Sequence, residues 1–163
     1  MLYKAKAPII EETWQIVSAV IDGDSLRVIG KFTRIEKEIR LYGIDAPETR
    51  YSRKLREDEA KTRVAGELLR FMGTQSKEFV SRICPPGSLV TTYTEPGNET
   101  DFWGRQLAYL ILPDGTCLNE ILINTGYAKA SHEYYCSELP LYQVRNWEAK
   151  LAKRGLYSLS EIF

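Results

Sequence analysis

Histidine is nearly missing from this sequence: His132 is the only one among 163 residues. A lone imidazole excludes histidine-rich metal centres and leaves any histidine-based general catalysis to that one side chain. Cysteine is sparse as well. Cys84, Cys117 and Cys136 lie far apart with no C-x-x-C pair, so the chain encodes neither a zinc knot nor a dense disulfide framework. Net charge is also absent, with 22 basic residues against 22 acidic ones, which removes the usual argument from a basic protein to a nucleic-acid partner. No apolar run is long enough to span a bilayer, and residues 1–12 interleave Lys4 and Lys6 with short apolar pairs instead of forming a secretory leader. These absences lead us to expect a soluble protein with no membrane partner and no obligate protein partner. Residence in the cytoplasm and secretion in mature form both stay open.

What is present suffices for a core. With 44% hydrophobic and 27% charged residues, the expected organisation is one domain over residues 1–163. Residues 13–20, TWQIVSAV, are rich in β-branched and aromatic side chains and run into Asp22-Gly23, a strong hairpin signal. Residues 25–29 and 38–42 continue with short apolar patterns, which predicts a three-stranded antiparallel meander. From Arg56 the spacing turns helical, with Ala60, Val64, Leu68 and Met72 on one face. Gly73 is expected to end that helix and a second to cover residues 74–83, stopped by Pro85-Pro86-Gly87. Strands are expected at residues 89–94 and 105–112. A helix from Leu118 capped by Gly126 follows, then a last one over residues 139–154. Strands grouped without βαβ alternation indicate an α+β fold, and a five-stranded OB-fold-like β-barrel with packed helices is its compact solution.

Three short segments carry residue types suited to phosphate chemistry. Asp22-Gly23-Asp24-Ser25 puts two carboxylates at a strand junction, where hard cations find oxygen ligands. The same residues also fit an ordinary hairpin turn. In residues 40–48, RLYGIDAPE, a strand delivers Arg40 and then Asp45 and Glu48. Pro47 restrains its own φ and biases Ala46 toward an extended backbone. That pattern suits a metal site with a positioned base, and it also suits a surface ion pair. In residues 101–105, DFWGR, Arg105 stands at a strand start beside Phe102 and Trp103. Arginine grips phosphate in a bidentate way and aromatic faces stack on bases, although such aromatics also serve cores. Arg50, Arg53, Lys54 and Arg56 form a basic run that reads equally as a phosphate-facing loop or a solvated one.

Taken together, VIDGDSLRV (20–28), IRLYGIDAPE (39–48) and DFWGRQLAYLIL (101–112) resemble the staphylococcal nuclease family, the thermonucleases. LNEILINTGYAKA (118–130) and GLYS (155–158) extend the likeness over most of the chain. The resemblance implies a five-stranded barrel with a Ca2+ site on its side and a DNA and/or RNA substrate. Asp24 and Asp45 would ligate the ion through carboxylates and Ala46 through its carbonyl. Glu48 would act as general base, Arg40 and Arg105 would neutralise charge on the phosphate, and 3′-phosphate ends would result. Trp103 and Tyr134 are the implied substrate contacts. His132 and the cysteines are expected to be bystanders.

Two departures accompany the likeness. Ala46 stands where the best-known members carry threonine, and Phe102-Trp103 where they carry a lysine-tyrosine pair. Residues 49–72 read as a helical insertion before the family's usual helix. A non-catalytic barrel that only binds nucleic acid is the main alternative, and such a module would be marked by loss of the acids or arginines that this chain keeps.

Overall fold

The computed structural model describes residues 2–163. The meander forms as its pattern predicts: β1 (Ile10–Asp22), β2 (Ser25–Gly30) and β3 (Glu36–Leu41) pair antiparallel in order. β1 is longer than its apolar stretch because it bends. Register shifts between Glu12 and Gln15, between Val17 and Ala19 and between Val20 and Asp22 let one strand pair with β2 and also with β5 (Leu89–Thr94). β6 (Gln106–Ile111) then joins β5 antiparallel and β3 in parallel, closing a barrel in the order β1-β2-β3-β6-β5. Among the described residues the architecture is therefore α+β, a closed five-stranded barrel with four α-helices packed around it.

The helices depart from expectation at one point that matters for the site. The break falls at residues 63–65, so that α1 spans Arg53–Thr62 and α2 spans Gly66–Ile83 without interruption at Gly73. Arg63 in the left-handed region (φ 58°) ends α1. Gly73 lies inside α2 because its missing side chain lets the helix press against a loop: a Cβ there would come within 2.5 Å of the Pro47 carbonyl oxygen and 2.6 Å of that of Glu48. Glycine marks a close approach here, not a stop.

α3 (Leu118–Thr125) ends at Gly126, which caps it with φ 74°, as its sequence implies. α4 (Leu139–Leu151) stops three residues before the expected end, and Gly155 opens a 3-10 turn over Gly155–Ser158. A short ladder between β4 (Ile44–Asp45) and β7 (Lys129–Ala130) completes the fold. One apolar cluster fills the barrel and reaches α3 and α4 through Val17, Leu26, Ile39, Leu110, Leu122 and Tyr142. A second, built on Leu55, Leu69, Met72, Ala149 and Leu156, joins α1 and α2 to α4 and the last turn. Among the described residues no helix is long and apolar enough to cross a membrane.

Candidate active site

Arg40 lies near the end of β3, opposite Ser25 of β2 and Leu107 of β6, and is only 2% exposed. A buried guanidinium needs its donors satisfied. One nitrogen, Nη1, donates to the carbonyl oxygens of Leu41 (3.1 Å) and Ile44 (2.9 Å). The other, Nη2, bridges Asp24 Oδ2 at 3.2 Å and Asp45 Oδ1 at 3.0 Å. Asp24 Oδ2 also accepts from the Ala46 amide at 2.8 Å, so the hairpin and the β4 segment are clamped on one carboxylate.

The two aspartates respond differently to the same burial. Burial pushes Asp24 up, and Arg40 opposes this without cancelling it while the Asp45 charge adds to it. Burial also pushes Asp45 up, but Lys54 and Arg40 outweigh it and hold that carboxyl below the usual range.

Glu48 follows Pro47 on the loop that α2 presses against. Its neighbour Thr49 donates to Asp22 at 2.6 Å and accepts from Arg70 of α2 at 3.4 Å. Ser52, which caps α1 by accepting from the Leu55 amide, donates to Glu48 Oε2 at 3.4 Å. Lys54, in the first turn of α1, reaches back over these oxygens. Its Nζ lies 2.7 Å from Asp45 Oδ1, 3.2 Å from Glu48 Oε1 and 3.5 Å from the Ala46 carbonyl oxygen. Burial pushes its pKa down, but the charges of Asp45, Asp24 and Glu48 outweigh this and hold it above the ordinary lysine value.

Arg105 precedes β6, on the strand that pairs with β3, and its Nε donates to Asp101 Oδ2 at 2.7 Å. Burial lowers its affinity for the proton, but the bond to Asp101 raises it further, so the charge is secure. Tyr134 connects the two arginines. Its ring lies 3.7 Å from the Arg40 guanidinium carbon, and its hydroxyl accepts from Arg105 Nη2 at 3.3 Å. The Tyr134 segment is held in turn by Gly43, whose amide donates to the Tyr134 carbonyl at 2.7 Å from a backbone at φ 69°. Phe102 and Trp103 are 93% and 73% exposed, so neither is a core residue.

Asp24, Arg40, Glu48, Trp103, Arg105 and Tyr134 line one open cleft of about 570 Å³, while Asp45 and Ala46 are buried behind that lining, where Asp45 meets Arg40 and Lys54 and the Ala46 amide meets Asp24. Asp22, Glu38, Ser52, Arg53 and Lys54 complete the lining. Of the basic run, Lys54 alone turns onto the carboxylates, and nothing in the sequence separated it from its neighbours. His132 is exposed, and all three cysteines are free and buried.

No three His, Cys, Asp or Glu side chains among the described residues converge as a metal-holding group. The donors that do face one another are carboxylate and carbonyl oxygens, the chemistry that suits a hard cation, and they already accept the Lys54 ammonium.

A barrel whose side carries buried carboxylates flanked by two arginines defines the class of protein. The family model described as staphylococcal nuclease homologue matches residues 38–159, and the chain belongs to that family. It is 32% identical to the endonuclease YhcR of Bacillus subtilis over 114 residues, 69% of this chain but 8% of that protein. It is 31% identical to an uncharacterised endonuclease of Escherichia coli O157:H7 over 142 residues, 87% of this chain and 75% of that one. A Bacillus anthracis protein, pXO1-141, is 28% identical over 159 residues, covering 96% of this chain and 66% of its own length.

Proposed function

We propose that this chain is a calcium-dependent nuclease that hydrolyses phosphodiester bonds of DNA and/or RNA and leaves 3′-phosphate ends. The observation that carries the reading is the juxtaposition of Arg40 and Arg105, joined through Tyr134, beside the Asp24 and Glu48 carboxylates in one cleft, with Asp45 buried against Arg40. Family membership and the endonuclease names of two relatives support it.

In this reading Asp24 and Asp45, with the Ala46 carbonyl, hold Ca2+. A bound divalent ion supplies Lewis-acid charge to the phosphoryl oxygens. Glu48 takes the proton of the attacking water from a loop pinned by α2, Thr49 and Ser52. Arg105 meets the charge that builds on the phosphate as the bond to the leaving oxygen breaks, and Arg40 adds a second positive group from below. Trp103 and Tyr134 offer aromatic faces to the bases or sugars. Residues 49–72, which contain α1, act as an added wall of the substrate groove.

The test is cleavage of end-labelled single- and double-stranded DNA and RNA with Ca2+ or chelator, comparing the native protein with Glu48→Gln and Arg105→Ala. Cutting that needs Ca2+ and falls about 10²–10³-fold in either variant supports the reading. Products that accept a labelled phosphate at their 5′ ends without prior dephosphorylation report 3′-phosphate chemistry. Binding without cutting under any divalent ion replaces the reading with that of a binding module.

A further inference from the structure

A positive charge already sits among the oxygens of the cradle, and it belongs to the protein. Lys54 Nζ contacts Asp45 Oδ1, Glu48 Oε1 and the Ala46 carbonyl at once, with Lys129 Nζ 3.9 Å from the other Asp45 oxygen. We propose that Lys54 is a tethered cation that competes with the divalent ion for these donors, so that ion binding requires the lysine to swing out of the cradle. The inference rests on the calcium reading above.

Geometry sets the two cations in competition. A calcium ion needs its oxygens at about 2.3–2.6 Å. An ammonium 2.7 Å from Asp45 Oδ1 and 3.5 Å from the Ala46 carbonyl oxygen already occupies two of the proposed ligands, and an ion on the same oxygens brings like charges to close range. Two features favour departure of the lysine. It stands in the first turn of α1, where the helix dipole disfavours a cation and no acidic residue is present to offset it. It also borders a neighbouring cleft lined by Glu57, Asp58 and Glu133 together with Arg53 and Lys61; Glu57 already pairs with Arg53, so Asp58 and Glu133 are the carboxylates left to receive a displaced ammonium. Without the ion, Lys54 neutralises a buried acidic cluster that would otherwise strain the fold. With the ion, it moves to the cleft edge.

The experiment is Ca2+ titration by calorimetry on the full chain, native and with Lys54→Met, Lys54→Gln and Lys54→Arg, alongside melting temperatures in chelator and in Ca2+. Lys54→Met removes the charge and keeps the stem, and Lys54→Gln keeps hydrogen-bonding capacity if the methionine variant fails to fold. The expected result is Ca2+ binding at least about 10-fold tighter in the uncharged variants, and close to native in Lys54→Arg. The uncharged variants should melt below the native protein in chelator and recover in Ca2+. Equal or weaker binding without the charge overturns the inference while leaving the calcium reading intact. If neither the native protein nor any variant binds Ca2+, the calcium reading falls and the inference falls with it.

Discussion

The floor of the cleft and its rim are built on different terms. The floor, Arg40 with Asp24 and Asp45, is buried and tied to the backbone of two strands, so that every charge has several fixed partners. The rim, Glu48 with Lys54, Arg105 and Trp103, is half-buried or exposed and anchored by side-chain ion pairs on loops and a helix end. Charges on the floor are costly to disturb because a buried group left without its partner has no water to turn to. Charges on the rim are partly hydrated and free to exchange partners, which is what a group that meets substrate needs. The floor should therefore govern whether the protein folds as well as its part in the proposed reaction, and the rim should act on the reaction with less effect on folding.

The strongest way to break that contrast is Arg40→Met. Removing the guanidinium leaves two buried carboxylates facing each other, and the expected loss is about 3–5 kcal/mol of unfolding free energy in urea titration. A loss below about 1 kcal/mol would put Arg40 on the same footing as a rim residue. Gly73→Ala comes next, because it strikes the seam between the two regions. The new Cβ meets the Pro47 and Glu48 carbonyl oxygens inside 3 Å, both of them backbone, so the loop or the helix must shift. The expected cost is about 1–3 kcal/mol, with reduced cleavage because Glu48 moves with its loop. Unchanged stability would mean that α2 does not hold that loop.

Much of this arrangement was legible in the sequence, and the parts that were not have physical reasons. β1, β2, β3, β5 and β6 follow from alternation and turn residues, which are local. The parallel pairing of β3 with β6, which puts Arg105 beside the strand of Arg40, joins segments more than 60 residues apart and leaves no local trace. Gly73 reads in the sequence as a helix end because a glycine needed for contact and a glycine that caps look alike until the partner surface is known. The order of the motifs singles out Asp24, Arg40, Asp45, Glu48 and Arg105; the fold brings Asp24, Arg40, Glu48 and Arg105 to one cleft and sets Asp45 against Arg40. Lys54 was hidden in a run of basic residues. Which of them turns inward depends on where Ser52 starts α1, a cap that the helical spacing from Arg56 did not reveal.

Arg105→Ala sharpens the contrast from the rim. Its partner Asp101, a buried side chain, keeps two backbone donors at Oδ1, from Trp103 at 3.0 Å and from Arg105 itself at 2.9 Å, and loses the donor to Oδ2. Stability should fall by about 1–3 kcal/mol, less than for Arg40→Met, while cleavage collapses. A larger loss in urea titration would show that Arg105 is structural and would blur the line between rim and floor.

Trp103→Ala should have the smallest effect on stability and is the most selective probe of the rim. The ring is 73% exposed, packs edge-on against Phe102 and lies 5.7 Å from the Arg105 guanidinium, so its removal uncovers little core. Melting should shift by the equivalent of no more than about 0.5 kcal/mol. If the ring stacks on a base, single-stranded substrate should bind more weakly by about 1–3 kcal/mol. KM should then rise while kcat holds, because stacking of this kind is the same before and during the reaction. A fall in kcat at constant KM would instead make Trp103 a support for the Arg105 guanidinium, felt only as the phosphate acquires charge.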